Sequence, residues 1–280
     1  DDSRLALNAM LSFSKLNMNN VTDLTGMFEN AGGGNVIDLS GLDTSNVVSM
    51  AHMFDHFYGP KKINVSSFNT SKVTDMSYMF NQCSLLQELD LSNFDTANVT
   101  SMAYMFYNLQ DTTSLNISKL DTRSVTDMSY MFVYDHTPID LAGFDTEKVT
   151  NMAGMFRATY FTEPIKHFEN IKTDNVTNMT GMFHGADLSK MDLSGLKTDN
   201  VTDMSEMFGQ ASNFSNSDIA NFNTSNVTNI ASMFNRVNPD ASDQENYFTT
   251  IDLSHLDTSH VTDMSKMLAN NSHLTTINFG

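Results

Sequence analysis

The chain has 280 residues, of which 15 are basic and 33 acidic, so its formal net charge is −18. This excess of negative charge disfavours binding to nucleic acids and to anionic membrane surfaces, and it favours cationic or neutral ligands. A single cysteine, Cys83, excludes an internal disulfide framework. No run of about 18 apolar residues occurs, so we expect no membrane insertion by this chain.

One nine-residue sequence occurs ten times along the chain. Examples are KVTDMSYMF at residues 72–80 and NVTDMSEMF at residues 200–208. Its valine lies at positions 21, 47, 73, 99, 125, 149, 176, 201, 227 and 261, so the steps are 24 to 27 residues long except for a last step of 34. We therefore interpret residues 1–280 as a single repeat domain. Because the pattern runs to both ends, we also interpret it as a fragment of a longer protein.

A second pattern precedes each nonapeptide. In LQELDLSNF, residues 86–94, the apolar residues follow the spacing L-x-x-L-x-L-x-x-F. The alternation of Leu89 and Leu91 predicts a short strand with two inward side chains, and we expect one such strand in each repeat. Equivalent pairs are Ile37 and Leu39, Ile63 and Val65, Leu115 and Ile117, Ile139 and Leu141, Met191 and Leu193, and Ile251 and Leu253.

Within the nonapeptide, apolar residues recur at i, i+3, i+6 and i+7, which predicts a short helical or 3₁₀ turn. Neither this turn nor the strand can bury its apolar face alone, so successive repeats must stack and share a core. Eighteen of the 21 methionines occupy two positions of the repeat, and we expect them to form buried ladders beside the phenylalanines. A threonine that precedes the valine, such as Thr70, should form a hydrogen-bonded ladder.

The residue two positions after the valine is aspartate in five repeats, and no two of these repeats are neighbours. The aspartates are Asp23, Asp75, Asp127, Asp203 and Asp263, and the other repeats carry serine or asparagine. Carboxylates stacked about 5 Å apart would repel each other by roughly 1 kcal/mol in water. We therefore expect this position to be stacked and partly desolvated, so that adjacent charges are avoided.

The combination of strand and turn resembles the BspA-type leucine-rich-repeat surface proteins of low-GC bacteria. The resemblance rests on segments such as NFDTANVTSMAYMF, residues 93–106, which recur over nearly the whole chain. It implies a right-handed parallel β-solenoid of leucine-rich-repeat type, with one short strand and one short helical or 3₁₀ turn in each of about ten repeats. It also implies export to the bacterial cell surface, attachment through regions outside this chain, and adhesion to host or matrix components.

Motifs of catalysis and metal binding are weak in this sequence. The glycines of AGGGN, residues 31–35, lack the lysine and serine or threonine of a phosphate-binding loop. His255, His260 and His273 are too irregularly spaced for a zinc signature. Five Asn-Val-Thr sequences formally match glycosylation acceptors, but they arise from the repeat itself. We expect no metal, no cofactor and no enzymatic activity.

The insertion at residues 235–250, which causes the long last step, leaves one enzymatic alternative open. It contains the carboxylates Asp240, Asp243 and Glu245. Active sites on repeat scaffolds form where the repeat is broken, so a polysaccharide-degrading enzyme is the less favoured alternative. Long acidic loops are more often solvated insertions.

Two outward surfaces are candidate binding sites. The residue five positions after the valine is Tyr78, Tyr104 and Tyr130 in three consecutive repeats, with His52 before them and with Tyr107 and Tyr134 close by. Aromatic side chains with a polar tip are common anchors at binding surfaces. The competing site is the outward face of the strands, which carries Asp38, Asp90 and Asp140.

These features together predict an extracellular bacterial adhesin module that binds glycans or host and matrix glycoproteins without catalysis. A passive stalk that displays another domain is the main alternative. If the ligand is anionic, we expect it to bind better near about pH 4, where aspartate and glutamate lose charge.

Overall fold

The computed structural model describes residues 13–239 and 247–280 as short parallel strands and turns. Strands β1 (Val36–Asp38), β2 (Lys62–Asn64), β3 (Glu88–Asp90) and β4 (Ser114–Asn116) form a parallel sheet in chain order, and β5 (Thr250–Asp252) and β6 (Thr276–Asn278) form a second parallel pair. The register pairs equivalent residues of neighbouring repeats, such as Ile37 with Ile63. The expected tandem repeats with short parallel strands are confirmed. No helix in the described ranges is long and apolar enough to cross a bilayer.

The strand expected in every repeat is absent from residues 138–219, where the prediction was wrong. Asp140 and Lys166 form only a single bridge. Pro138 accounts for the first loss, because it occupies the position at which Ser114 donates its N–H to the Gln87 carbonyl, and proline has no N–H. In a later repeat, Asp192 accepts the Ser194 amide and caps a 3₁₀ turn instead. In residues 13–239 and 247–280 the 3₁₀ helices are Phe13–Lys15, Phe168–Asn170, Leu188–Lys190, Leu193–Gly195 and Asn216–Ile219.

The nonapeptide is a run of turns, so the prediction of a helical or 3₁₀ turn was also wrong. Alternate amides donate to carbonyls of the next repeat, and the amides between them donate three residues back, as Met50 and Met53 illustrate. The residue five positions after the valine has a positive φ, for example 56° at His52. Positive φ at the third residue of a turn is the mark of a type II turn. Each repeat is thereby hydrogen-bonded to its neighbour along the whole nonapeptide.

The residues two positions after the valine set the register between repeats. Nine parallel bridges join them in sequence, from Asp23 with Ser49 to Asn229 with Asp263. Where asparagine follows aspartate it also donates across the gap, as Asn151 Nδ2 does to Asp127 Oδ2 at 3.2 Å. Most of these side chains are half-buried. The expected stacking at a partly desolvated position is confirmed, and two adjacent aspartates there would both repel and lack a donor between them.

Ser49→Asp combined with Ser101→Asp is expected to lower the melting temperature more at pH 7 than at pH 4. Five bridged carboxylates would then lie in consecutive repeats, each new pair costing about 1 kcal/mol or more while charged. Thermal unfolding followed by circular dichroism at the two pH values measures the effect. The control is Ser49→Asn with Ser101→Asn, which adds donors instead of charges and should leave stability unchanged. Equal losses at both pH values would contradict the charge explanation.

The core consists of ladders that run from repeat to repeat. Nine phenylalanine rings stack with neighbouring centroids 5.3 to 6.3 Å apart, namely Phe28, Phe54, Phe80, Phe106, Phe132, Phe156, Phe183, Phe208 and Phe234. Met128 and its neighbours Met102 and Met152 have 0% exposure. Among the described residues, methionines of these ladders become exposed toward the ends of the stack, where Met27 is 37% and Met264 is 51% exposed. The predicted methionine ladders are confirmed for the interior repeats.

Threonine and asparagine side chains add polar ladders between repeats. Thr70 Oγ1 donates to the Asp95 carbonyl at 2.9 Å and accepts the Asp95 N–H at 2.8 Å, which confirms the predicted threonine ladder. In the Asn-Val-Thr sequence, Asn98 Nδ2 donates to the Ser71 carbonyl and Thr100 Oγ1 donates to the Thr74 carbonyl. These bonds give the asparagine and the threonine of the Asn-Val-Thr sequence a structural role, and they favour this role over that of a glycosylation site.

Candidate functional site

Four aromatic side chains from consecutive repeats form one continuous stack, which we call the aromatic row: His52, Tyr78, Tyr104 and Tyr130. Neighbouring ring centroids are 4.4, 4.4 and 4.7 Å apart, and the interplanar angles are 8°, 6° and 19°. The structure thus brings together residues that the sequence placed one repeat apart. The row is about 13 Å long between its end rings.

The turn conformation places these side chains on the outside of the stack. The three tyrosines have φ between 56° and 59°, and their amides donate to carbonyls of the next repeat, as Tyr78 does to Ala103 at 2.8 Å. The same position holds glycine in other repeats, with φ of 64° at Gly26 and 58° at Gly154. Glycine accepts positive φ without the strain that a Cβ atom introduces. The backbone at this position therefore does not require a tyrosine.

The rings of the aromatic row cover one another and are half-buried. A ligand would therefore meet ring edges and hydroxyl groups along most of the row rather than open ring faces. Burial and the neighbouring tyrosines raise the pKa of Tyr104 to about 12, and burial also raises the pKa of Tyr78. The hydroxyls of Tyr78 and Tyr104 are thus uncharged at neutral pH and can both donate and accept hydrogen bonds.

Tyr107 and Tyr134 extend the row sideways, as the sequence suggested. Tyr107 lies 5.6 Å from Tyr104 in a stacked arrangement, and Tyr134 meets Tyr107 edge-on at 5.9 Å. Burial raises the pKa of Tyr107. Tyr134 is 47% exposed, so this side of the surface presents more open aromatic area than the row itself.

The His52 end of the row is held by a buried carboxylate that the sequence analysis missed. Asp55 is 5% exposed and lies 2.7 Å from His52 Nδ1 and 2.5 Å from His56 Nδ1. Asn81 Nδ2 donates to the same carboxylate at 2.7 Å. These contacts fix the His52 ring against Tyr78. The position eight after each valine is polar in most repeats, so no pattern in the sequence singles out Asp55.

The Tyr130 end of the row is shaped by glycines. A Cβ atom on Gly154 would lie 2.3 Å from the Tyr130 ring, so this ring rests directly on the glycine backbone. A Cβ atom on Gly181, in the following repeat, would lie 2.9 Å from Nη1 of Arg157. The guanidinium of Arg157 therefore occupies the next place in line and lies 3.3 Å from Glu206 Oε2. Arg157 and Glu206 were also missed from the sequence.

The strand face carries the competing site in a different arrangement. Asn64 Nδ2 donates to Asp38 and Asn116 Nδ2 donates to Asp90, both at 2.9 Å. Hydrogen bonds from the Ser40 and Ser92 amides lower the pKa of Asp38 and of Asp90. A shallow groove of about 400 Å³ lies here, between residues of β2, β3 and β4.

Asp140 continues the strand face beyond β4. His167 Nδ1 lies 2.8 Å from Asp140 Oδ1. Burial opposes ionisation, but the bonds from His167 and from the Ala142 amide together lower the pKa of Asp140. In the described ranges, none of these three aspartates contacts the aromatic row. The two candidate surfaces are therefore separate.

The acidic residues of the insertion near the end of the chain, on which the enzymatic alternative depends, are not tested by the structure. Asp240, Asp243 and Glu245 lie outside the described residues. Tyr247, the first described residue after this part of the insertion in the sequence, stacks on His273 with ring centroids 3.9 Å apart. Among residues 13–239 and 247–280, no three His, Cys, Asp or Glu side chains lie close enough together to hold a metal ion.

Comparison with known proteins gives a family but no individual relative. No curated protein and no solved structure matches the chain. One protein family matches residues 4–59, 55–168, 133–247 and 240–278, and together these segments span nearly the whole chain. Several overlapping matches are the expected result of tandem copies of one repeat. The chain belongs to the family described as Mycoplasma protein of unknown function, DUF285.

Proposed function

We propose that this chain is an extracellular bacterial adhesin module that binds a glycan, either free or on a host or matrix glycoprotein, without altering it chemically. Its stack of repeats is a right-handed parallel solenoid of the BspA-like leucine-rich-repeat type, displayed on the cell surface by regions outside this chain. The ligand site is the aromatic row, with Tyr107 and Tyr134 at its side.

The proposal rests on the position of the three tyrosines in the repeat, at which the positive φ of the turn does not require a tyrosine side chain. Equivalent positions with the same positive φ hold Gly26, Gly154, Gly181 and Ser232. A residue with a Cβ atom in this conformation costs roughly 1–2 kcal/mol relative to the usual backbone region. Ring stacking offsets about 0.5–1.5 kcal/mol of this for each pair. Three consecutive tyrosines thus bring little net stability, which favours a role in binding.

Hydroxyl-bearing ring edges suit carbohydrate recognition. A sugar presents hydroxyl groups and C–H groups side by side, and the edge of the aromatic row presents phenol hydroxyls beside apolar ring atoms. The strong net negative charge of the chain also favours a largely neutral ligand over a polyanion. The strand-face groove, with Asp38, Asp90 and Asp140, remains the competing site for the same ligand class.

The passive stalk is the second candidate function. It is favoured by the mutual coverage of the rings, which shields the row and leaves few open aromatic faces. A polysaccharide-degrading enzyme is the third and weakest candidate. A glycan array probed with the chain separates adhesin from stalk, and release of reducing ends from the bound polysaccharides separates an enzyme from both.

Replacing Tyr78, Tyr104 and Tyr130 together by serine is expected to abolish glycan binding while changing the melting temperature by only a few degrees. Ser232 occupies the equivalent position with φ of 56°, so serine fits this backbone. The measurement is binding to the array's best ligand together with thermal unfolding. Tyr160→Ser, which removes a 56% exposed tyrosine outside the row, is the control and should bind normally. Retained binding by the triple variant would move the site to the strand face.

A further inference from the structure

Arg157 continues the aromatic row with a positive charge. Tyr130 covers Gly154, and Arg157 covers Gly181 in the next repeat. Gly154 and Gly181 are adjacent in the stack, since the Gly154 amide donates to the carbonyl of Thr180 at 2.8 Å. The guanidinium therefore lies one repeat beyond the last tyrosine and in line with it. The absence of side chains at both glycines is what makes room for this arrangement.

The Arg157 guanidinium uses only part of its hydrogen-bonding capacity within the described part of the chain. Among the described residues its side chain makes one hydrogen bond, from Nη1 to Glu206 Oε2 at 3.3 Å. A guanidinium has five N–H donors in a planar fork, so most of its donors remain for another acceptor. The side chains of Arg157 and Glu206 are 31% and 46% exposed, so both are accessible from solvent.

His184 completes the surroundings of Arg157 without adding charge at neutral pH. Its Nε2 lies 3.8 Å from Glu206 Oε2, and its side chain is 17% exposed. Burial, followed by the nearby positive charge of Arg157, lowers the pKa of His184. Arg157 is thus the positive group at this end of the row, and Glu206 is the negative group that faces it.

We propose that Arg157 is a carboxylate-binding subsite at the end of the aromatic row, and that the ligand is a mostly neutral glycan ending in one carboxylated sugar. This inference rests on the proposed function and specifies the class of glycan. The neutral sugars lie along the ring edges of the row, and the terminal carboxylate takes a two-point bond from the guanidinium, displacing Glu206 toward solvent. Paired bonds between arginine and a carboxylate are strong and geometrically selective.

The overall charge of the chain limits the ligand to few carboxylates. At −18 the protein repels a polyanion at long range. A single carboxylate a few ångströms from Arg157 is governed by the local contact, since more distant charges are screened beyond about 8–10 Å at physiological salt. An acidic polysaccharide with a charge on every sugar is therefore a poorer ligand than a neutral chain with one acidic end.

The test uses two oligosaccharides that differ at one group: a hexasaccharide of otherwise neutral sugars ending in glucuronate, and the same hexasaccharide ending in uncharged glucuronamide. Binding to the whole chain is measured by calorimetry at neutral pH. We expect the glucuronate form to bind more tightly. Arg157→Gln should weaken its binding by about tenfold or more, as loss of a charge-assisted hydrogen bond does, while binding of the amide form stays within about twofold. Arg157→Lys should recover only part of the loss, because lysine cannot form the paired bond.

Two further variants sharpen the test. Glu206→Gln removes the competing carboxylate and is expected to tighten glucuronate binding. Arg123→Gln is the matched control, since Arg123 also pairs with a carboxylate, that of Asp121, but lies outside the row. It should leave both affinities unchanged.

The outcomes separate this inference from the proposed function. Equal binding of the two hexasaccharides by the native chain, or an unchanged affinity in Arg157→Gln, would overturn the carboxylate subsite and leave glycan binding intact. An acidic peptide that binds the native chain as tightly as the glucuronate form would also overturn it, because the row would then not select sugars. Failure of both hexasaccharides and of every glycan on the array would refute the proposed function itself.

Discussion

Met128→Asp is expected to abolish cooperative folding of the chain. Met128 has 0% exposure and lies in the middle of a methionine ladder between Met102 and Met152. The substitution removes a buried apolar side chain and leaves an unpaired carboxylate in its place, a combined loss of more than about 5 kcal/mol. That loss is comparable with the whole stability of a typical domain. Loss of the thermal transition measured by circular dichroism is the expected result.

The repeat itself supplies the control for this variant. Met264 occupies the equivalent position in the last repeat but is 51% exposed. Met264→Asp is expected to change stability by less than about 1 kcal/mol, as surface substitutions usually do. A native-like transition in Met128→Asp, or equal damage from both variants, would contradict the assignment of this position to the core.

The spacing of the valines alone was enough to predict which residues lie above one another in the stack; we call each such set of equivalent residues a column. Equivalent positions of tandem repeats must lie above one another once the repeats stack, whatever the conformation of the backbone between them. This is why the bridge from Asp23 to Ser49 and the stacking of Tyr78 on Tyr104 follow directly from the numbering. The alternation of aspartate with serine and asparagine was visible for the same reason.

The conformation of the nonapeptide could not be predicted from its apolar pattern. Residues at i, i+3, i+6 and i+7 share a face in a helix, but they also point inward in a run of turns whose alternate amides bond to the next repeat. A stronger signal was the glycine at the fifth position after the valine, at Gly26, Gly154 and Gly181. Glycine at a fixed position of a repeat indicates positive φ, which a helix interior excludes.

The candidate site was foreseen in part. The spacing placed the tyrosines together, but it did not show that their faces are covered, because ring orientation depends on the turn geometry. Asp55 and Arg157 were missed because each lies in a neighbouring column and reaches the row only through its side chain. Contacts between columns depend on rotamers, and a single sequence carries no information on these.

The position ten after each valine holds an apolar or small residue in most repeats, and Asp135 is the one acidic residue at this position. It has 0% exposure, follows Leu109 in the column and precedes Thr159, which is also 0% exposed. Its Oδ1 accepts the Thr137 N–H at 2.9 Å, but its Oδ2 has no partner among the described residues. Desolvation raises the pKa of Asp135 to about 6, against the opposing hydrogen bond from the Thr137 amide. The charged form of this carboxyl is therefore destabilised in the folded chain.

Asp135→Asn is expected to stabilise the chain at pH 7 by up to about 3 kcal/mol and to have little effect below about pH 4. Because the folded pKa of Asp135 is raised to about 6, the folded state holds its proton more tightly than the unfolded state. Its contribution to stability is therefore complete below the unfolded pKa of about 3.9 and is lost as the pH rises through about 6. Asparagine keeps the acceptor for the Thr137 amide and carries no charge at any pH, so the difference between variant and native chain should grow between about pH 4 and pH 6. Denaturant unfolding at a series of pH values measures this difference.

Asp55→Asn is the control, since the Asp55 carboxylate is also buried but both its oxygens have partners, and this change should destabilise the chain. A constant difference between Asp135→Asn and the native chain across this pH range would show that Asp135 ionises normally in the fold.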